Sequence, residues 1–176
     1  MVEYRSFGEV VMELKADMPY PSMDGIQENA CMLRAVSPAY AGREGEMTAI
    51  LQYVYQSVLL GACDKKEWAE SLLAIAVNEM HHLEILGTLI CKLGAPPIFT
   101  ACPPYPVGYY SASFVNYVKT PAAMFRADLY GERCAVEGYR NMLCKLSDPH
   151  VSAVIERIIA DELVHIETLE RLLSEA

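Results

Sequence analysis

Glu79-Met80-His81-His82 and Glu162-Leu163-Val164-His165 are one pattern, Glu-x-x-His, used twice in the chain. Each lies in a long stretch of helical apolar spacing, and each follows a lone glutamate. Glu46 precedes Glu79 by 33 residues, and Glu132 precedes Glu162 by 30. On a helix, residues three apart project from one face, so each Glu/His pair can hold one centre from one direction. Four carboxylates and two imidazoles, delivered by four helices, are the ligand set of a carboxylate-bridged pair of metal ions in a helix bundle. The pattern predicts an all-α fold: a four-helix bundle with one long crossover connection and a short N-terminal extension.

Working outward, punctuation places the helices. The first bundle helix is expected at about 38–62, opened by Ser37-Pro38, with Met47, Ile50, Leu51, Val54 and Val58 at steps of three and four. The second, about 65–93, begins at an Asp64 cap and ends at Gly94, before Pro96-Pro97. The third and fourth, about 121–146 and 149–174, start at Thr120-Pro121 and Asp148-Pro149. Residues 95–119 hold five prolines and little periodicity, which suits a crossover that packs along the bundle or serves an interface. Upstream, Asp24 is expected to cap a short helix over 24–36. Val2, Val10, Val11 and Leu14 suggest a strand or helical turn before Pro19 and Pro21 force extended chain. Two units follow: residues 1–37 as an extension packing on the bundle, and 38–176 as the bundle itself.

The halves match beyond the Glu-x-x-His pairs. EMHHLEIL (79–86) parallels ELVHIETL (162–169), and Tyr53 and Tyr139 each stand seven residues after Glu46 and Glu132. A step of seven returns to nearly the same face, so both tyrosines point inward, either bonding a ligand carboxylate or packing in the core. A duplicated αα-hairpin explains these parallels.

Composition bounds the partners. At 176 residues, 53% hydrophobic and 21% charged, the chain fits one globular domain. A net charge of −9 argues against nucleic acid and anionic membranes, which reward clusters of Lys and Arg. No apolar run reaches a membrane span, and Glu3, Glu9 and Glu13 interrupt the N-terminal apolar stretch, so a cytoplasmic setting is expected. The six cysteines (31, 63, 91, 102, 134, 144) show no paired spacing and are expected mostly as small core residues.

One Glu-x-x-His alone is weak, since Glu79 and Glu162 can also be read as solvated charges. Their flanks are apolar, however: Leu72, Ile75, Ala76, Met80 and Leu83 around one, and Ile158, Leu163, Ile166 and Leu169 around the other. A buried unpaired carboxylate costs several kcal/mol, and two divalent ions supply the +4 that balances four of them. Glu79 and Glu162 are expected to bridge, with Glu46 and His82 completing one metal and Glu132 and His165 the other. Asp128, one turn before Glu132, either orients a ligand histidine or stands exposed near a helix start. His81 lies about 200° from Glu79 on the wheel and faces away; His150, Glu84 and Glu167 are expected at the surface.

At these residues the chain resembles the ferritin-like superfamily of di-metal carboxylate proteins, above all its manganese catalase and rubrerythrin branches. GREGEMTAILQYVYQ (42–56), NEMHHLEILGTLI (78–90), DLYGERCAVEGY (128–139) and ADELVHIETL (160–169) look like their four ligand-bearing segments. The resemblance implies two metal ions per chain, iron or manganese, and a small-molecule oxidant, hydrogen peroxide or O₂. The proline-rich 95–119 connection and the N-terminal extension look like interface decoration for a small homo-oligomer, with a dimer expected first. The CxxC pairs of a rubredoxin-like domain are missing, so a peroxidase would draw electrons from a separate donor protein. The leading expectation is therefore a di-metal oxidoreductase of peroxidase or catalase type. Its alternatives are an iron-oxidising storage protein and a structural, coat-type protein that retains the site.

Overall fold

The computed structural model describes residues 14–176, so the elements expected at Val2, Val10 and Val11 lie outside the described residues. Five α-helices follow in order: α1 (Ala30–Ala41), α2 (Glu46–Ala62), α3 (Lys66–Lys92), α4 (Pro121–Leu143) and α5 (Pro149–Glu175). The last four form the expected bundle. Helix α2 packs most extensively on α3, and α4 on α5, while α1 lies against α3, α2 and α4. Among the described residues no strand forms, only an isolated antiparallel bridge between Thr100 and Tyr109.

The first bundle helix starts later than its punctuation suggests. Pro38 lies inside α1, whose cap is Asn29; its side chain accepts from the Cys31 and Met32 amides. The proline is tolerated because Arg34 and Pro38 both face solvent, where a carbonyl left without its helical donor can bond water. The chain then reverses through Gly42-Arg43-Glu44-Gly45, and a Cβ on Gly45 would sit 2.5 Å from the Ala39 carbonyl oxygen. This glycine-enforced reversal makes Glu46 the first residue of α2.

Asp64 does not cap α3 either. It takes a left-handed backbone (φ 59°) to turn the chain, so Lys65 occupies the cap without a side-chain bond. Asp148 does cap α5, accepting from the His150 and Val151 amides.

The apolar stripe of α2 departs from its expected role. Leu51, Val54 and Val58 are exposed, and the helix buries Glu46, Ile50, Tyr53, Gln56, Ser57 and Leu60 instead. Polar groups claim its inward face, so apolar ones are left outside. The cysteines also depart from expectation: five of the six are exposed and Cys134 is partly buried, all with free thiols.

Two apolar layers plug the bundle. One joins α1 with Ile85, Leu86, Leu89, Val154, Ile155 and Ile158; the other gathers Leu60, Leu72, Ile75, Phe125, Leu169 and Leu172. Each fully buried Leu, Ile or Phe contributes roughly 1.5–3 kcal/mol, which holds the helices in register. Along α3 the order is 72–76, then 79–82, then 85–93, and α5 runs the opposite way. Glu79, His82, Glu162 and His165 therefore form a polar band between two dry plugs. The crossover lies on α2 through the Asn116 amide, which donates to Gln52 Oε1 (2.9 Å).

Candidate metal centre

Six buried side chains meet in that band. Glu46, Glu79, His82 and Glu162 offer ligand atoms within 4.8 Å of one another, and so do Glu79, Glu132, Glu162 and His165. The two groups share Glu79 and Glu162, and no residue of either is more than 4% exposed. The histidine rings stand 6.0 Å apart, centroid to centroid.

Both imidazoles turn the same edge inward. His82 Nδ1 lies 2.9 Å from Glu79 Oε2 and 3.4 Å from Glu162 Oε1. His165 Nδ1 lies 2.9 Å from Glu162 Oε2 and 3.0 Å from Glu79 Oε1. The outer nitrogens meet acceptors: His82 Nε2 faces Asp161 Oδ2 at 3.1 Å, and His165 Nε2 faces Asn78 Oδ1 and the Leu14 carbonyl, each at 3.0 Å. Groups that can only accept place the proton on Nε2. In the neutral tautomer the Nδ1 lone pairs then point into the carboxylate cluster, as metal-ligating histidines are held.

Asp161 is the orienting carboxylate, and Asp128 is not. Asp128 accepts instead from Gln52 (2.7 Å) and Gln56 (2.9 Å), and burial pushes its carboxyl up to about 7 against both bonds. Sequence reasoning missed Asp161 and Asn78, although each immediately precedes a Glu-x-x-His glutamate. Arg157, one turn before Asp161, was a further signal, because a buried arginine at i−4 pairs with it at 2.5 Å.

The tyrosines cross over. Tyr53 of α2 donates to Glu132 of α4, and Tyr139 of α4 donates to Glu46 of α2, so each half of the repeat holds the other's lone glutamate. Burial, then the adjacent carboxylate, raises both hydroxyls well above the usual tyrosine range, which keeps them donors. His81 lies outside the cluster with its ring 4.5 Å from that of Tyr20, and His150, Glu84 and Glu167 are exposed.

The charge in the band needs compensation. Burial and then the charges of Glu79 and Glu162 raise Glu46 and Glu132 well above the carboxylate range. Burial opposes a proton on either imidazole, yet the same two glutamates hold both well above the histidine range. Burial would also raise Glu79, but His165 and His82 hold it low. Protons or cations must therefore accompany the four carboxylates, and two divalent ions would replace those protons. Glu79 Oε1, buried at 3.0 Å from His165 Nδ1, makes no hydrogen bond. That pair suits two atoms converging on a third centre, so the donor set fits a metal pair.

The description "Manganese containing catalase" belongs to the family model that matches residues 26–98. A bacterioferritin from Desulfovibrio desulfuricans is 29% identical over 133 residues, covering 74% of this chain and 69% of that protein. In sequence and fold the chain resembles the ferritin-like superfamily of di-metal carboxylate proteins. Within that superfamily, the fold superposes on a manganese catalase from Anabaena with a TM-score of 0.79 at 20% identity, over 93% of this chain and 80% of that one. The D. desulfuricans bacterioferritin structure, described by its diiron site, gives 0.69 at 25% identity, over 81% and 78%. A mycobacterial bacterioferritin gives 0.68 at 27%, over 84% and 86%. In this ferritin-like chain a cavity of about 200 Å³ opens between α2 and α4. Its walls run from exposed Arg43, Glu44 and Tyr130 down to Glu46, Glu132, Tyr53 and Asp128.

Proposed function

We propose that the protein is a di-metal oxidoreductase acting on hydrogen peroxide or O₂. Glu46, Glu79, His82, Glu132, Glu162 and His165 hold two iron or manganese ions per chain, with Glu79 and Glu162 shared between them. The observation that carries this reading is the pair of imidazoles with their outer nitrogens committed to acceptors and their inner nitrogens turned onto four buried carboxylates. Two such ions, when bound, supply a two-electron couple divided into one-electron changes, which suits cleavage of an O–O bond.

The chain's own groups do the rest. Tyr53 and Tyr139 keep Glu132 and Glu46 oriented by donating to them. The apolar plugs exclude bulk water from both ends of the band. The α2–α4 cavity admits a molecule of the size of peroxide, since its 200 Å³ holds several waters at roughly 30 Å³ each. In this reading residues 1–37 are an extension on the 38–176 bundle, the protein works in the cytoplasm as a homo-oligomer, and a reductant, where required, is a separate protein.

The test is oxygen release and peroxide loss in iron- and manganese-reconstituted protein beside His82→Ala. Oxygen release without reductant identifies disproportionation, and loss only with reductant identifies a peroxidase. If neither form outpaces His82→Ala, the oxidoreductase reading fails. Likeness to bacterioferritins favours a second reading, ferrous iron oxidation for storage. That reading requires a many-subunit shell, which the mass in solution reveals.

A further inference from the structure

Residues 14–20 run across the outer edges of both imidazoles. The Leu14 carbonyl accepts from His165 Nε2 at 3.0 Å. Two residues on, the Ala16 amide donates to Asp161 Oδ1 at 2.7 Å. The Tyr20 hydroxyl donates to Asp161 Oδ2 at 2.6 Å and accepts from Asn78 Nδ2 at 3.2 Å. Asp161 and Asn78 are the two side chains on the histidine Nε2 atoms. A continuous path thus runs His82–Asp161–Tyr20–Asn78–His165, and its middle member comes from outside the bundle.

The segment is fastened independently of the histidines. Arg157, 3% exposed, donates from Nε to the Met18 carbonyl (3.0 Å) and from Nη2 to the Ala16 carbonyl (2.9 Å). Its guanidinium carbon also lies 4.1 Å from the centre of the Tyr20 ring. A buried arginine whose fork grips two backbone carbonyls sets the path of that backbone. Burial, then the bond to Asp161, pushes the Tyr20 hydroxyl up to about 12, so it remains a donor.

Without this segment Asp161 loses two of its partners and His165 loses one of its two acceptors. Both imidazoles would gain freedom to rotate or change tautomer. We propose that residues 14–20 are a positioning strap for the metal ligands, with Tyr20 the residue that couples the two histidine arms. The inference rests on the metal-site reading above. It gives the N-terminal extension a task beyond covering apolar surface: the affinity of a centre built by four helices is set in part by a fifth, non-helical segment.

Tyr20→Phe in the full chain removes one hydroxyl and keeps the ring on Arg157 and His81. With Co²⁺ alone as the probe, the variant should bind both ions about 10-fold more weakly, the scale of losing an outer partner of a ligating histidine. Proton spectra of the Co²⁺-loaded parent should show two strongly shifted, slowly exchanging imidazole N–H signals, and both should exchange faster in Tyr20→Phe. Ala16→Pro, which deletes the amide donated to Asp161, should weaken binding as well and speed the exchange of the His82 signal alone. A structural role would lower the metal-free melting temperature and leave affinity and N–H exchange unchanged. That result overturns the strap. A parent chain that binds no Co²⁺ removes the metal-site reading first, and the strap with it.

Discussion

Glu79 and Glu162 are the two residues common to both candidate ligand groups, and the proposed sharing has a stoichiometric consequence. Glu79→Ala should lose both metals, whereas Glu46→Ala, which touches one group, should keep one; metal analysis after reconstitution and desalting reads the difference. Two metals retained by Glu79→Ala would sink the shared assignment. Asp128 allows a pH test. Its folded-state value of about 7 lies above the roughly 3.9 of an unfolded aspartate, so the folded chain holds this proton better. Its contribution to stability is therefore lost as pH rises from about 4 to about 7. Metal-free Asp128→Asn keeps an acceptor for Gln52 and Gln56 and removes the titration. It should exceed the parent by about 1–3 kcal/mol at pH 8 and by almost nothing at pH 4, read in urea melts. An equal gain at both pH values would show that the carboxyl is not the cause.

Among the elements, α2 is amphipathic in an unusual sense, with Glu46, Gln56 and Ser57 inward beside Ile50 and Leu60, and a second apolar stripe outward. Leu51, Val54 and Val58, exposed by 36%, 37% and 65%, recur at steps of three and four and form one ridge. Two such ridges from two copies of the chain bury like against like, a common route to a symmetric dimer. In the dimer proposed for this chain, Val54→Asp combined with Val58→Asp should shift the mass to that of a monomer by light scattering, with the metal-free melting temperature within a few degrees of the parent's. An unchanged mass would place the interface elsewhere. The same helix shows why its stripe misleads. Periodicity reports that a helix has two faces, but it does not say which face meets the metal band.

For the whole molecule, the band links protons to stability, and the proposed metal pair enters the same charge balance. Glu46, Glu132, His82 and His165 are all raised in the metal-free fold. Groups raised in this way hold protons better when folded, so their contribution to stability is lost as pH rises through their folded values. Glu79, held low, acts in the opposite sense, and its contribution is lost only in acid. The rise in melting temperature produced by Mn²⁺ should therefore grow between pH 6 and pH 8, since the ions restore a charge balance that protons no longer supply. Titration calorimetry in buffers of different ionisation enthalpy should count roughly two to four protons released per pair of ions. Release of none would mean that the buried groups were never protonated, and the charge argument would fail.

The repeat Glu…Glu-x-x-His, with proline and glycine punctuation, determined the all-α class, the four bundle helices and the long crossover. Fixed helical geometry turns spacing along the chain into placement on a face. It also nominated six residues that the folded chain brings together. Only the tertiary structure decided which partner each nominated residue meets. Tyr53 serves Glu132 across the bundle, Asp161 rather than Asp128 orients a histidine, and Pro38 rides inside α1 because Arg34, whose carbonyl it leaves without a donor, faces water. The Leu14 carbonyl and Ala16 amide belong to the same class: any residue carries these backbone groups, so no side-chain pattern announces them. Contacts between segments more than 140 residues apart follow from how helices pack and where a strap crosses them, and local propensity carries no record of either.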